Sequence, residues 1–571
     1  MRDTHRVEFR CNGEPVSIDA APGESLLSVL RERLGLRSAK DGCAPQGQCG
    51  CCTVLVDGGA RVACVTPATR VEGRDVTTLE GLEPHRRDEL TSVFVATGAS
   101  QCGFCTPGIL MRASALLDRG DVDGPAVDRA LAAHLCRCTG WRTVIDAIGA
   151  PPPTRSPRRL DDAARRAALE GGVPQRVGPD VPAGSGGFAD DLAPDGALVA
   201  VPLPVGSDAA AVDAVGMQWV VAETLHEARR RAGQVQGRRT TRDDDVPLPR
   251  RPRPDGGVTL TTSWVEPAYL EPDASWCEPD GTPASPLANG GAFGAKTDSA
   301  APAAARALAD HLGSAVRVVY SREDVVRLGA KRPPIAATAH ITGRSLHVAG
   351  AYVGPSMRWE PGPRVSDLTI EERWESRSCP GPPTSSALRA FPLAERTVLR
   401  EGAVTESGLD RAALCVDERV AAARLLTVAA APGGALGGAR VELDPVTGAL
   451  ARVEVRVGAG DPLDEVVLRS YCVGAAHMAL GWVLTETIAV DAATGDVLDL
   501  TIRSFGILRA RSTPPIDVTV LDDPGGPRPR AGDAVFAAVA AATWEAVTAF
   551  EGTRPDTFPA RSTAAARAAR V

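Results

Sequence analysis

Gln101-Cys102-Gly103-Phe104-Cys105-Thr106-Pro107-Gly108, followed by Cys136-Arg137-Cys138-Thr139-Gly140, is the stretch on which the reading of this chain turns. It offers four thiols in two tight pairs: Cys102, Cys105, Cys136 and Cys138. Upstream, Cys43-Ala-Pro-Gln-Gly-Gln-Cys49-Gly-Cys51-Cys52 and a later Cys64 offer a second set: Cys43, Cys49, Cys52 and Cys64. Four thiolates per set is the ligand count of an iron–sulfur cluster, and a chain with two such centres moves electrons. Cys51 is a spare thiol beside the first set, so Cys51 stands as the alternative to Cys52.

The cysteine distribution favours metal over disulfides. Ten of the 14 cysteines lie between Cys11 and Cys138, whereas disulfide scaffolds belong to small secreted domains. The polar start Met1-Arg-Asp-Thr-His-Arg-Val-Glu lacks the apolar core of an export signal. No stretch reads as the roughly 20 consecutive apolar residues of a membrane span. The expected compartment is a reducing cytoplasm, with no membrane partner. A length of 571 residues predicts several domains, and 44% hydrophobic residues supply their cores. The net charge of −8 gives no reason to expect nucleic acid. Basic residues are arginine almost throughout; the lysines are Lys40, Lys296 and Lys331.

Two alternating runs within residues 7–19 flank Asn12-Gly13, which suits a tight hairpin because both residues tolerate positive φ. The apolar spacing from Leu26 to Leu34 predicts a helix that Gly35 can stop. The cysteine loop follows, then a second hairpin from Thr53 around Asp57-Gly58. This order predicts a β-grasp ferredoxin-type domain over 1–81. Gly42, Gly47 and Gly50 let the backbone wrap inorganic sulfide and aim amide hydrogens at it. Residues 88–118 read as helix, glycine-containing break, cysteine pair and helix, with Pro107 suited to a first turn. Helices from Val127 and from Gly140-Trp141 complete a helical domain over 82–150. Helix N-termini there favour thiolates and an anionic cluster. Pro151-Pro-Pro-Thr-Arg-Ser-Pro-Arg-Arg opens a stiff linker over 151–175, with room for a short helix from Asp161 to Glu170.

Together these motifs resemble the two-cluster iron–sulfur module of the molybdenum hydroxylases, the xanthine dehydrogenase and aldehyde oxidoreductase family. The gap from Ala44 to Gln48 is one residue longer than the plant-type spacing. The resemblance implies two 2Fe-2S clusters. It also implies that Gln101 and Cys138 lie against the pterin of a molybdenum cofactor, and that the first cluster lies nearer the surface. Further on, Gly186-Gly-Phe188-Ala-Asp190-Asp191 and Trp264-Val-Glu-Pro267-Ala-Tyr269-Leu270-Glu271-Pro272 resemble the family's molybdenum-cofactor domain. So does Gly290-Gly291-Ala292-Phe293-Gly294-Ala295-Lys296. Glycines in that loop allow main chain to approach an anionic cofactor. Gly290, Gly291, Phe293 and Gly294 are therefore candidate cofactor contacts, with Arg389. Ser321-Arg322-Glu323-Asp324 and Lys331-Arg332-Pro333 follow at family-like distance, so every lysine falls inside a family-like motif. The fold expected is α+β and multidomain: 176–270 begins a molybdopterin-binding-like region, and 271–571 continues it in shortened form.

This region also departs from the family. Between Asp280 and Gly290 there is no counterpart of a glutamine that faces the metal. The family's Arg-Gly-Phe-Gly loop stands as Arg389-Ala390-Phe391-Pro392, and Pro392 has no amide hydrogen. Gly474-Ala-Ala-His477-Met478-Ala-Leu-Gly481 stands where a glycine- and glutamine-rich loop belongs; His477 is expected to pack or cap. The catalytic glutamate after a glycine corresponds to Asp533 after Gly532. Two roles are open to Asp533: general base, or N-cap of the helix beginning at Ala534. Two readings of the whole chain follow. One is a molybdenum hydroxylase acting on an aldehyde or N-heterocycle, handing electrons to an acceptor protein or separate flavin subunit in a homo- or hetero-oligomer. The other is an iron–sulfur electron-transfer or scaffold subunit with a degenerate molybdenum domain. The substrate is not legible.

Overall fold

Asn12 and Gly13 take positive φ values of 53° and 87°, so His5–Cys11 and Glu14–Ala20 fold back as the expected antiparallel hairpin. Asp57 and Gly58, at 50° and 74°, close Thr53–Val56 onto Gly59–Val62 in the same way. Asp75–Thr77 joins the hairpins, parallel to His5–Cys11 and antiparallel to Thr53–Val56. The result is a five-stranded β-grasp sheet. Val7 and Phe9 on the sheet share a core with Leu26, Leu27 and Leu30. The helix expected over 26–34 is regular only over Leu26–Ser28. Val29–Arg33 is a wider π turn, from which Arg31 reaches Asp190 and Asp191 at 2.7 and 2.8 Å.

This computed structural model describes residues 4–120, 122–150, 158–204, 206–233, 246–285, 291–355, 363–414 and 427–570. The helical domain packs Pro84–Thr97, Thr106–Leu117, Gly124–Leu131 and Arg142–Ala147 around one core. Pro107 lies in the first turn of its helix, where a missing amide hydrogen costs nothing.

Helix Leu160–Gly171 forms inside the expected linker and is no free spacer. Arg166 is fully buried and bonds Asp461 O, Pro462 O and Arg528 O. Beyond it lie three sheets. The first orders Ala274–Cys277, Val316–Val319, Leu198–Pro202, Met217–Ala222 and Val212–Ala214. Its strands come from both sides of residue 270, so a division there does not separate the sheets. The second orders Thr369–Arg377, Ser345–Val353, Ile335–Thr342, Gly257–Thr262 and Thr557–Phe558, close to the C-terminus. The third holds Thr427–Ala430, Leu436–Leu443, Leu450–Gly458 and Ile516–Val520. Helix Leu393–Ser407 packs on the second sheet and Ala531–Glu551 on the third, and the two helices meet in a shared core.

Two helices bear on the membrane expectation. Glu465–Leu484 and Ala531–Glu551 are long and apolar enough, by length and composition, to cross a membrane. Both are core helices: 89% and 67% of their apolar windows are buried inside the protein. A helix enclosed on most sides is apolar on most sides, which is what a span also requires. The chain is thus α+β and multidomain, as expected.

Candidate functional site

All eight predicted cysteines are buried, and the fold gathers them into two sets. In the first, the Cys43 sulfur accepts the amide hydrogens of Gln48 and Cys49, each at 3.3 Å. It also meets the thiols of Cys49 and Cys64, and Cys64 meets Cys52. Cys52 shares the β-grasp core with Cys64, whereas Cys51 packs with the helical domain. In the second set, the sulfurs of Cys102 and Cys138 are 3.4 Å apart, and Cys105 bonds Cys136. The Cys105 thiol, helped by Thr139, holds the Cys136 thiol at about 6 although burial opposes it. A thiolate at neutral pH is the form that binds metal. Among the described residues no three His, Cys, Asp or Glu side chains are placed to hold a lone metal ion. The sulfurs of the second set pair off, Cys102 with Cys138 and Cys105 with Cys136, while those of the first form a chain.

The two sets are joined directly. Cys49 O accepts a hydrogen bond from the Leu135 amide at 3.0 Å, linking a residue of the first set to the neighbour of Cys136. Gly108 lies so close to the other loop that a Cβ there would be 2.2 Å from Gly50 O. His134 fills the seam, with Nε2 3.2 Å from Gly108 O and 3.3 Å from Thr53 Oγ1. Burial pushes its pKa down to about 4, so the ring is neutral.

Cys102 and Cys138 also line a cavity of about 310 Å³. Gln101, Gly291, Phe293, Gly294, Arg389 and Asp533 line the same cavity; Gly290 lies outside the described residues. Gly291 comes so near that a Cβ would be 2.6 Å from Cys138 Sγ. Gln101 Nε2 donates to Cys138 O and Ser470 Oγ, both at 2.9 Å, while its Oε1 is buried without a partner. Lys296 Nζ is buried 3.0 Å from Glu271 on the cavity wall. Arg389 stacks 3.9 Å over Phe293, sets Nε beside Asp533 at 3.4 Å, and leaves Nη2 without a hydrogen-bond partner. Buried polar groups are normally satisfied. Gln101 Oε1 and Arg389 Nη2, an acceptor and a donor left without protein partners, fit a hydrogen-bonding ligand such as a pterin cofactor.

The N-cap role expected for Asp533 goes elsewhere. The helix begins at Ala531, with Arg530 in the cap position, and Asp533 falls in its first turn. Glu170 Oε2 takes the Gly532 amide at 2.8 Å, so a carboxylate from another helix caps this one. Asp533 instead faces Arg389, with Oδ1 3.4 Å from Nε. Burial raises the Asp533 pKa, opposed by Arg389 and Arg530. His477 is fully buried, its ring 3.1 Å from Leu508 O, so it packs as expected. All three lysines are buried beside carboxylates: Lys40 with Asp191, Lys296 with Glu271, and Lys331 with Glu266. Glu170, Tyr471 and Arg530 line the cavity but carried no sequence signal. No spacing rule relates residue 170 to residue 532.

Burial pushes the Glu271 carboxyl up to about 7, opposed by Lys296. The folded state therefore holds a proton that the unfolded chain releases at the ordinary glutamate value. The stability this group contributes is full below that value and is lost as pH rises through about 7. Glu271→Gln should remove that dependence: wild-type stability relative to the variant falls between about pH 5 and pH 8. A difference between their unfolding midpoints that stays constant across this range would contradict the assignment.

Two joined four-thiol sets, one opening onto a donor-rimmed cavity, define an iron–sulfur redox protein with room for a further cofactor. Residues 9–75 match the 2Fe-2S iron-sulfur cluster binding domain, and residues 78–149 the 2Fe-2S binding domain. The chain belongs to the molybdenum hydroxylase family of xanthine dehydrogenases and aldehyde oxidoreductases. It is 39% identical over 150 residues to the xanthine dehydrogenase iron-sulfur-binding subunit of Escherichia coli O157:H7, covering 26% of this chain and 93% of that one. It is also 39% identical over 144 residues to the nicotinate dehydrogenase small FeS subunit of Eubacterium barkeri, covering 25% and 91%. The aldehyde oxidoreductase structure from Desulfovibrio gigas superposes with a TM-score of 0.74 at 15% identity, covering 99% of this chain and 100% of that chain. The one from Desulfovibrio desulfuricans ATCC 27774 gives 0.72 at 15%, covering 98% and 99%. Those two matches establish the fold of the remainder.

Proposed function

We propose that this chain binds one 2Fe-2S cluster on Cys43, Cys49, Cys52 and Cys64, and another on Cys102, Cys105, Cys136 and Cys138. Residues 1–81 and 82–150 would form the two cluster domains. The cavity at Gln101 would hold a molybdopterin-type molybdenum cofactor. The activity is oxidation of an aldehyde or N-heterocycle, with electrons leaving through the two clusters to an acceptor protein or separate flavin subunit. The convergence of Gln101, the Gly291–Gly294 loop, Arg389 and Asp533 on one cavity beside Cys102 and Cys138 supports this reading.

Bound there, the cofactor would supply two-electron oxidation and the clusters single-electron storage. The chain's own residues do the rest. Gln101 ties the Cys138 carbonyl down and presents Oε1 to the cavity. Gly291 brings main chain against Cys138. Asp533 would take the proton as general base, with the Arg389 guanidinium beside it. The Cys49–Leu135 hydrogen bond bridges the two cysteine loops. The second reading, a scaffold with an inactive molybdenum domain, is favoured by one observation: the carboxylate that would act as base is already engaged by the Arg389 guanidinium.

Dithionite-reduced protein should show two distinct paramagnetic centres and about one molybdenum per chain. One centre or none defeats the cluster assignment, and clusters without molybdenum select the scaffold. Cys105→Ser should remove one centre and leave the ferredoxin-type one. Asp533→Asn should lower kcat by about 100-fold or more with metal content unchanged, the usual scale for a general base. Unchanged turnover would remove Asp533 from that role.

A further inference from the structure

Arg530 lines the cavity beside Cys138 from its solvent side: it is exposed, whereas Arg389 further in is 4% exposed. Its backbone is left-handed, at φ 57° and ψ 36°. A long side chain pays strain in that conformation that glycine does not. Its guanidinium has no ion pair among the described residues. Its charge nonetheless acts on Asp533, where with Arg389 it opposes the burial that raises the carboxyl's pKa. Arg389 comes to the same place: a Cβ on Gly532 would be 2.2 Å from Arg389 Nη2, the buried donor without a partner. Two guanidiniums thus flank the start of helix Ala531–Glu551 against the single carboxylate of Asp533. The other charges on the wall are matched. Glu170 has Arg166 at 3.1 Å and the Gly532 amide at 2.8 Å, and Lys296 has Glu271 at 3.0 Å. The mouth is therefore short of an anion, beside apolar wall from Val173, Phe293, Leu388 and Phe391.

We propose that Arg530 selects a substrate with an apolar body and a carboxylate, holding the carboxylate at the cavity mouth while the oxidisable carbon lies further in. The inference rests on the function proposed above and names the substrate's class: a carboxylated aldehyde or N-heterocycle. A guanidinium offers a carboxylate two parallel N–H donors in a charge-assisted contact. An oxyanion of the cofactor is the other source of the same chemistry, and molybdenum content separates the two.

Arg530→Gly suits the left-handed backbone, so the variant should fold with an unfolding midpoint no lower than that of the wild type. In turnover with an artificial electron acceptor, the wild type should show a lower KM for 4-formylbenzoate than for benzaldehyde, or for nicotinate than for nicotinamide. Arg530→Gly should shrink that preference about tenfold or more, the effect of roughly 1.4 kcal/mol, with molybdenum retained. Arg530→Lys keeps the charge and the backbone strain, and should keep most of the preference. Equilibrium dialysis of benzoate against the resting protein should give the same order without turnover: wild type tightest, then Arg530→Lys, then Arg530→Gly. No preference in the wild type, or a preference untouched by Arg530→Gly, overturns the inference. Loss of molybdenum from Arg530→Gly assigns the arginine to the cofactor's own anion and also overturns it. Absence of molybdenum and turnover in the wild type defeats the function proposed above. The anion site then stands or falls on Arg530-dependent benzoate binding.

Discussion

Arg137→Ala should cost about 3–5 kcal/mol and dislodge the second thiol set, the scale for removing one partner of a buried ion pair. Arg137 lies between Cys136 and Cys138 and is 3% exposed. Its guanidinium makes a two-pronged contact with Glu486, at 2.5 and 2.7 Å, and donates to Pro267 O at 2.9 Å. Glu486 is 1% exposed, and Gly481 abuts its carboxylate so closely that a Cβ there would be 2.2 Å away. Truncating Arg137 therefore strands a charge with little space for water. The expected result is a lowered unfolding midpoint and a lost or altered second paramagnetic centre, with the first centre intact. Adding Glu486→Gln should recover part of the loss, because the stranded charge is gone. An unchanged midpoint in Arg137→Ala would mean the pair does not bind the cluster domain to the rest.

Gly474→Ala should damage the same junction by crowding instead of by charge. Gly474 lies on helix Glu465–Leu484, and a Cβ there would be 1.7 Å from Cys138 O. No side-chain rotation relieves a clash with backbone, so the helix or the cysteine loop must shift by about 1 Å. Overpacking of this kind costs about 1–3 kcal/mol, and a 1 Å displacement at a reacting centre can cost about 100-fold in rate. The shift also strains the Gln101–Cys138 bond on the cavity wall. The variant should fold, keep its first centre, show changed spectra for the second, and lose about 100-fold in turnover. Gly124→Ala is the control, since a Cβ there meets nothing within 4 Å. Equal behaviour of the two variants would show that the close approach at Cys138 is unimportant.

The parts of this protein legible beforehand are those decided within a few residues. Asn12-Gly13 and Asp57-Gly58 make hairpins because positive φ is available there. Pro107 opens a helix because its ring suits a first turn. The apolar spacing at Leu26–Leu34 signalled a helix but not its π turn, which coincides with Arg31 reaching acids far along the chain. Apolar length did not distinguish core helices from membrane spans, because burial by sheets and burial by lipid select the same residues.

Cysteine spacing and turn chemistry, read from the chain alone, determined two four-thiol sets and a β-grasp start, since ligand geometry and φ preferences act locally. Tertiary structure alone decided which carboxylate caps and which faces the cavity. Glu170 reaches Gly532 across 362 residues and takes the helix amide, while Asp533 faces Arg389. It also decided the partners of Lys40, Lys296 and Lys331. A buried charge requires its counter-charge within hydrogen-bond reach, but nothing in the spacing of residues says which distant carboxylate the fold will bring there.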